Sequence, residues 1–302
     1  MEEMILKRLL IGAILLSLLG SIVTQNETVL SGTILLVVLL SPFGVAWYIH
    51  HTSEIRRLRE KIQDYRPGQW TIKDTGEGFE RPSKVRLGVF GVQDSGKSSF
   101  LNSLHFAFKG GWEQVYVEKG EASNGGETIF RDPARLTDYV TTFDTRGLVD
   151  LSIYRVPEVI AEITGKRGIN TRSWTKGEKI DCPIFILRYS SATGTRHCTK
   201  FLETLVPQVR NQLGGYPIMV VTFAKCISNQ EEIIGDITRA GMEKGSVFLI
   251  ENYTDVNHEM DSKKHIALLN ILEACIKRAD DSITFQWRKE NETPQKSKCE
   301  IM

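Results

Sequence analysis

One stretch in the first third of the chain constrains the fold more than any other. Residues 85–90, V-R-L-G-V-F, have the composition of a buried strand, and they lead into G-V-Q-D-S-G-K-S at residues 91–98. The residues that follow, up to about Phe108, are predicted to form a helix. A strand, a G-x-x-x-x-G-K-S loop and a helix in this order are typical of a P-loop, whose backbone N–H groups surround a phosphate.

Each residue type in this loop has a chemical reason to be there. Gly91 and Gly96 allow backbone N–H groups to turn inward, and Lys97 can bridge the β- and γ-phosphates of a nucleoside triphosphate. The Ser98 hydroxyl is suited to Mg²⁺, and the positive end of the following helix favours the same phosphates. The predicted ligand is therefore a nucleoside triphosphate with Mg²⁺. The predicted phosphate-binding residues are Gly91, Gln93, Asp94, Ser95, Gly96, Lys97, Ser98 and Ser99.

A second phosphate-side motif follows at residues 141–148, T-T-F-D-T-R-G-L. It places Asp144 at the end of an apolar strand and Gly147 three residues later. An Asp that leaves a strand beside a P-loop can hold Mg²⁺, directly or through water, and the Gly N–H can reach the γ-phosphate. The sequence therefore predicts that Asp144 binds the metal and that Gly147 contacts the nucleotide.

The segment between the two motifs is a candidate switch loop. Residues 118–132 are rich in glycine and charge, and they contain Thr128. We predict Thr128 as a further Mg²⁺ ligand beside Ser98 and Asp144, with Thr137 and Thr142 as alternatives. No residue of the chain is identified as a catalytic base.

The first fifty residues have the character of membrane segments. Residues 9–23 form a short apolar run, and residues 29–49 are uncharged over a length that can cross a hydrocarbon core of ~30 Å. Basic residues flank both outer ends, at Lys7 and Arg8 and again from Arg56 onwards. This predicts a transmembrane hairpin over residues 1–50 with both ends in the cytosol. A cleaved signal peptide is the alternative, although the site near Gly20 lacks an A-x-A-like pair.

The remainder of the chain is predicted to contain one soluble domain. Residues 51–84 are interpreted as a charged juxtamembrane helix and a Pro- and Gly-rich linker, and residues 281–302 as a polar tail. From residue 85 to 280, apolar strand-like runs alternate with amphipathic helical stretches. That alternation predicts an α/β fold of the P-loop NTPase type, doubly wound, with a mostly parallel sheet and helices on both faces.

The net charge and the cysteine content restrict which partners and which cellular location are predicted. The net charge of +1 gives no bulk attraction to nucleic acid, so no nucleic-acid partner is expected. The five cysteines lie at no metal-ligand spacing and fit reduced cytosolic thiols. We predict an integral membrane protein whose bulk is cytosolic, at the endoplasmic reticulum or another endomembrane. The last four residues, C-E-I-M, fit a prenylation signal at Cys299, with an unmodified polar tail as the alternative.

Three segments together resemble one family. The motifs at residues 91–103 and 144–148 and the late strand at residues 247–253 look like the interferon-induced protein 44-like family, on the dynamin-related side of the P-loop GTPases. The likeness extends over residues 65–280 and implies GTP as the nucleotide. By position it also implies that Asn252 lies near the base or ribose, and that the nucleotide domain self-associates.

The chain departs from a standard GTPase at the base-reading motif. Guanine is normally read by N/T-K-x-D after the fifth strand, and residues 222–227 here read T-F-A-K-C-I. Aligned on Lys225, the Asp position holds Ile227; aligned on Thr222, it holds Lys225 itself. Neither alignment supplies a carboxylate. Both alignments place Lys225 within the motif, so Lys225 is predicted to lie beside the base. A preference for GTP over ATP is implied by the resemblance and is expected to be modest.

Two further departures concern hydrolysis. Leu148 occupies the position where small GTPases keep a Gln that orients water, and Asp94 adds a carboxylate to the phosphate loop. We therefore predict a membrane-anchored GTP-binding protein, a weak GTPase whose hydrolysis is slow or partner-dependent. The alternatives are a non-hydrolysing interaction protein and a P-loop NTPase of relaxed base specificity. A membrane ATPase or kinase finds no supporting motif.

Overall fold

The structure, a computed structural model, describes most of the chain after the predicted membrane hairpin. It describes residues 42–70, 80–116, 133–145, 147–168, 177–189 and 198–291, with the backbone alone at 42–49. The chain divides into two compact units, residues 1–57 and residues 58–302.

The predicted membrane runs lie mostly outside the described residues. The first helix, α1 (Pro42–Gln63), begins within the second predicted run rather than after it. Its residues up to Arg57 belong to the first unit, and its last residues belong to the second. Within the described ranges, no helix is both long enough and apolar enough to cross a membrane.

A six-stranded sheet forms the centre of the second unit. Its strands are β1 (Val85–Gly91), β2 (Ala134–Arg135), β3 (Val140–Asp144), β4 (Cys182–Arg188), β5 (Ile218–Thr222) and β6 (Val247–Leu249). Their order in the sheet is β2-β3-β1-β4-β5-β6. β2 runs antiparallel to β3, and the other pairings are parallel. The parallel register brings the carboxyl ends of β1, β3, β4, β5 and β6 to one edge, where ligands bind in sheets of this class.

Helices cover both faces of this sheet. They are α2 (Lys97–Lys109), α3 (Val156–Ile163), α4 (Thr199–Leu213), α5 (Gln230–Arg239) and α6 (Ser262–Asn291). Phe185 and Leu187 of β4 join one apolar cluster with α3, α4 and α5. Their neighbours Ile184 and Ile186 are also buried but point to the opposite face, where α6 contacts β1 and β4. The prediction of an α/β fold with a mostly parallel sheet is therefore confirmed.

The C-terminal helix is longer than predicted. The sequence predicts that this helix ends near residue 280 and that a polar tail follows, but α6 continues to Asn291. Ser282 is buried, the Phe285 ring lies directly against Gly214 at the end of α4, and Gln286 accepts a hydrogen bond from Lys179. Residues 281–291 therefore continue α6 as an amphipathic helix, and the polar part of the sequence begins after them.

The first part of the predicted linker is packed into the second unit. Tyr65 is fully buried and its hydroxyl donates to Asp280 of α6. The backbone N–H groups of Gly68 and Trp70 donate to the same carboxylate, at 2.7 Å and 3.0 Å. Burial raises the pKa of Asp280, although these three donors act in the opposite direction. Residues 65–70 are therefore a docked segment and not a flexible connection.

Candidate nucleotide site

The phosphate loop needs glycine at the two positions that the motif specifies. A Cβ on Gly91 would collide with the carbonyl oxygen of Ile186 in the neighbouring strand β4. Gly96 has φ 87°, a left-handed conformation that favours glycine, and it caps the start of α2. Asp94 also has a positive φ, 57°, which Asp tolerates better than most residues. The local sequence therefore dictates a tight loop that ends at the positive end of α2.

The two phosphate-side motifs meet at the head of α2. Ser98 donates from Oγ to Asp144 Oδ2 at 2.7 Å, although 46 positions separate the two residues. Asp144 is buried, with 1 % of its surface exposed, at the end of β3. Lys97 is also buried and donates from Nζ to the carbonyl oxygen of Val92 at 2.7 Å. A hydroxyl, a carboxylate and an ammonium group therefore converge where a phosphate and its metal would bind.

The second motif is hydrogen-bonded to the phosphate loop through its backbone. Leu148 donates its N–H to Gly91 at 2.9 Å and accepts from the N–H of Gln93 at 3.1 Å. Gly147 approaches so closely that an added Cβ would lie 2.8 Å from the Cα of Gln93. The Leu148 side chain packs against the apolar cluster that contains α3 and α4. Gly147 therefore lies against the phosphate loop, and its predicted contact with the nucleotide stays a prediction.

The remaining loop residues differ in exposure. Gln93 and Asp94 are exposed, and Ser99 is half-buried and accepts from Ser103. Ser95 is fully buried, and its Oγ has no hydrogen-bond partner among the described residues. A buried hydroxyl of this kind is available to a ligand that enters the loop.

The three threonines considered for the switch loop have separate outcomes. Thr128 lies outside the described residues, so its role as a metal ligand stays a prediction. The Thr137 hydroxyl accepts from the N–H groups of Tyr139 and Val140, both at 3.1 Å, and thereby closes a turn. The Thr142 hydroxyl donates to Ala134 at 3.1 Å within a buried network. Both alternative hydroxyls are therefore engaged within the fold.

The Ser98–Asp144 pair fits a magnesium ion. Mg²⁺ prefers hard oxygen ligands and commonly takes one or two from the protein, with phosphate oxygens and water completing the shell. No cluster of three or more His, Cys, Asp or Glu side chains suited to a metal is present among the described residues. The oxygen pair at the head of α2 is therefore a site that would take Mg²⁺ together with a phosphate.

The carboxyl ends of β5 and β6 close the other side of the loop. Thr222 donates from Oγ1 to the carbonyl oxygen of Ser95 at 2.9 Å, and Asn252 donates from Nδ2 to that of Gly96 at 3.2 Å. Asn252 Oδ1 is buried and has no hydrogen-bond partner within the described ranges. Asn252 therefore lies against the phosphate loop, and its place near the base or ribose, which the family resemblance implies, stays a prediction.

The structure also brings together residues that the sequence did not indicate. Phe223, directly after β5, has φ 61° and is 36 % exposed. The Arg188 guanidinium lies over its ring, 4.6 Å from the centroid. Glu251, after β6, accepts the N–H of Lys225 at 3.2 Å. In the sequence, Phe223 and Glu251 are marked only by their position at the end of a strand. Aromatic and charged residues are too common at such positions to identify a site.

No family model matches this chain, and no curated protein matches its sequence. Among solved structures, it is similar to Toc33 from Arabidopsis thaliana in complex with Mg²⁺ and GMPPNP, with a TM-score of 0.45 and 15 % identity over 76 % of this chain and 92 % of that one. A septin GTPase domain from Chlamydomonas reinhardtii gives a TM-score of 0.42 and 16 % identity over 68 % and 96 %. A probable GTP-binding protein engB gives 0.39 and 14 % over 64 % and 99 %. At these scores the likeness carries no argument about the ligand or activity of this chain, and the interferon-induced protein 44-like resemblance stays a prediction.

Proposed function

We propose that this chain is a GTP-binding protein of the P-loop GTPase type, which holds its nucleotide with Mg²⁺. The observation that carries the proposal is the Ser98–Asp144 hydrogen bond of 2.7 Å at the head of α2, beside the buried Lys97. These three groups are the ones that phosphoryl chemistry in this class requires for the metal and for the β- and γ-phosphates. Gly91, Gly96 and Gly147 supply the close backbone approach around them.

Lys97→Ala tests this proposal directly. Because Lys97 contributes a charge and hydrogen bonds to phosphate, its removal is expected to weaken triphosphate binding about 100-fold or more. The control is Lys109→Ala, an exposed lysine in the last turn of the same helix, which should bind like the wild type. Fluorescent-nucleotide titration of the detergent-solubilised full chain with Mg²⁺ measures both. Equal affinity of a folded Lys97→Ala variant and the wild type would overturn the proposal.

Hydrolysis is proposed to be slow in the isolated chain. The position that would orient an attacking water holds Leu148, whose side chain packs against the apolar cluster and cannot position water. The same observation favours a second candidate function, a non-hydrolysing interaction protein in which bound nucleotide stabilises the fold. A measurement of phosphate release distinguishes the two candidates. A weak GTPase releases phosphate, whereas the interaction protein keeps one nucleotide per chain and releases none.

Membrane attachment completes the proposal. Residues 1–50 form the proposed hairpin anchor, which leaves the nucleotide domain in the cytosol at an endomembrane, with Cys299 as a site of prenylation. The bilayer and a second copy of the nucleotide domain are the proposed partners. Protease protection in intact microsomes provides the test: residues around Lys97 should be digested without detergent. Protection of these residues until detergent is added would favour the cleaved-signal alternative.

A further inference from the structure

The base end of the site lacks the carboxylate that usually reads guanine, and the structure offers a substitute for it. We infer that Glu251 reads the guanine base and that Phe223 is the ring on which the base stacks. The inference rests on the proposed function, because it assigns the base contacts of the same nucleotide site. Phe223 lies in the segment 222–227 and Glu251 in the late strand at residues 247–253, but neither of them has a role predicted from the sequence.

The Thr222 hydroxyl determines the alignment of the base-reading segment. Its hydrogen bond to Ser95 fixes the end of β5 to the phosphate loop, and we therefore take Thr222 as the first residue of N/T-K-x-D. Counting from Thr222, Phe223 takes the Lys position and Lys225 takes the Asp position. Ile227, the other candidate for the Asp position, is 8 % exposed and belongs to the apolar cluster. The segment after β5 therefore places a cation where the carboxylate would be.

A carboxylate nevertheless reaches that place from the neighbouring strand. Glu251 follows β6, and its Oε2 lies 3.2 Å from the backbone N of Lys225. This contact holds the carboxyl group beside the residue at the Asp position. A carboxylate has two oxygens and several lone pairs, so it can also accept from a ligand. Guanine presents two donors on one edge, N1–H and the 2-amino group, whereas adenine presents an acceptor at N1 and no 2-amino group.

Phe223 has the geometry of a stacking platform. It follows β5 at the carboxyl edge of the sheet, next to Thr222 and thus one residue from the contact with the phosphate loop. Its positive φ is strained for a bulky residue, and backbone strain of this kind clusters at ligand sites. Its ring is exposed to solvent. Arg188 covers one face of the ring. The base would stack on the other face, which gives affinity without base selectivity.

Glu251 and Phe223 therefore have separable roles, and three nucleotides distinguish them. The probes are GTP, ITP, which differs from GTP only by lacking the 2-amino group, and xanthosine triphosphate, which has an oxygen at that position. Wild-type protein is expected to bind GTP about tenfold more tightly than ITP, because a hydrogen bond to a charged acceptor is lost. Glu251→Ala should bind the two equally. Glu259→Ala, an exposed carboxylate in the same loop, is the control and should keep the preference.

A variant that binds a new nucleotide more tightly than the wild type must be folded, so a gain of affinity excludes misfolding as the cause. Glu251→Gln should bind xanthosine triphosphate more tightly than the wild type does, because its amide can donate to the 2-oxo group. Phe223→Leu should weaken binding of GTP and ITP by the same factor, about tenfold, and leave their ratio unchanged.

The possible failures are distinguishable. If the wild type binds none of the three nucleotides, the proposed function itself fails. If the wild type binds GTP and ITP equally, or Glu251→Ala keeps the wild-type ratio and Glu251→Gln gains nothing, the assignment of Glu251 is overturned while the phosphate site stands. If Phe223→Leu changes the ratio or leaves both affinities unchanged, the stacking assignment is overturned.

Discussion

The phosphate half and the base half of the candidate site are constructed in different ways. The phosphate half uses contiguous backbone, residues 91–98, together with a second short motif that ends at Leu148. The base half consists of single side chains from three strand ends, Arg188, Phe223 and Glu251, which are far apart in sequence and adjacent only because β4, β5 and β6 are neighbours. A site made from local backbone can be recognised in a sequence, whereas a site made from distant side chains requires the topology.

The two halves also differ in completeness. On the proposed function, the phosphate half has groups for binding, whereas Leu148 stands where a water-orienting residue would act in hydrolysis. A missing catalytic group supplied by a second molecule is worth about 10³–10⁵ in rate for this chemistry. We therefore expect the specific activity of the full chain, reconstituted in liposomes, to rise steeply with protein density.

Phosphate release measured against protein-to-lipid ratio tests this expectation. Lys97→Ala on the same liposomes is the control and should release no phosphate above background at any density. A fast rate that is independent of density would show that a single copy already holds a complete catalytic site. In that case the two halves would be equally complete, and Leu148 would not be a defect.

A smaller effect tests whether the phosphate half depends on backbone approach. Gly147→Ala places a Cβ against the backbone of Gln93, 2.8 Å from its Cα and 2.9 Å from its N, and neither atom belongs to a flexible side chain. Overpacking of this kind costs about 1–3 kcal/mol of unfolding free energy. Gly245→Ala is the matched control, because nothing lies within 4 Å of its Cβ. Denaturant unfolding compares the two variants, and similar stabilities would mean that the second motif is not held against the loop.

The same division explains what could be predicted from sequence. The strand before the phosphate loop is predicted over residues 85–90 and is observed as Val85–Gly91, and the contact between Ser98 and Asp144 follows from two local motifs. The alignment of residues 222–227 remained open, because only the hydrogen bond from Thr222 to Ser95 decides it. Glu251 and Phe223 were not predicted, since their pairing with Lys225 and Arg188 depends on the order of the strands.

Long-range packing accounts for the other differences. The hydrogen bond between Tyr65 and Asp280 joins residues 215 positions apart, so composition alone made the segment around Gly68 look like a linker. Residues 281–291 look polar in sequence, but Phe285 among them packs against Gly214 at the end of α4, and Ser282 is buried. In both places, tertiary contacts override a local pattern that was read correctly as polar or Gly-rich.

Two histidines are buried among the elements that form the site. His105 of α2 has Nε2 3.1 Å from the Thr142 hydroxyl of β3, and His265 of α6 has Nδ1 2.8 Å from the Tyr253 hydroxyl. Burial lowers the pKa of each imidazole to about 4. Nearby positive charge acts in the same direction, from Lys109 on His105 and from Arg59 on His265.

These lowered values fix the sign of a pH effect. Between the folded pKa of about 4 and the unfolded value of about 6.5, the unfolded chain binds more protons, so stability falls as pH falls through this window. Burial of Asp181 raises its pKa to about 6, which acts in the opposite sense, because that contribution is lost as pH rises. Burial also raises the pKa of Asp280 and of Asp281, and both act in the same sense as Asp181. The contribution of the two histidines taken by itself makes the second unit less stable at pH 4.5 than at pH 7.

The smallest expected effect compares the two histidines with each other. His105→Asn and His265→Asn should each remove about 1–3 kcal/mol of the loss in unfolding free energy between pH 7 and pH 4.5, whatever they do to stability at pH 7. His258→Asn, at an exposed position after β6, is the control and should leave the pH slope as it is in the wild type. Urea unfolding at the two pH values gives the slopes. If His265→Asn flattens the slope and His105→Asn does not, only His265 is buried in its neutral form in the folded chain. If neither variant changes the slope, both imidazoles are already protonated or hydrated in the folded chain, and the assignment of the two histidines as the cause is wrong.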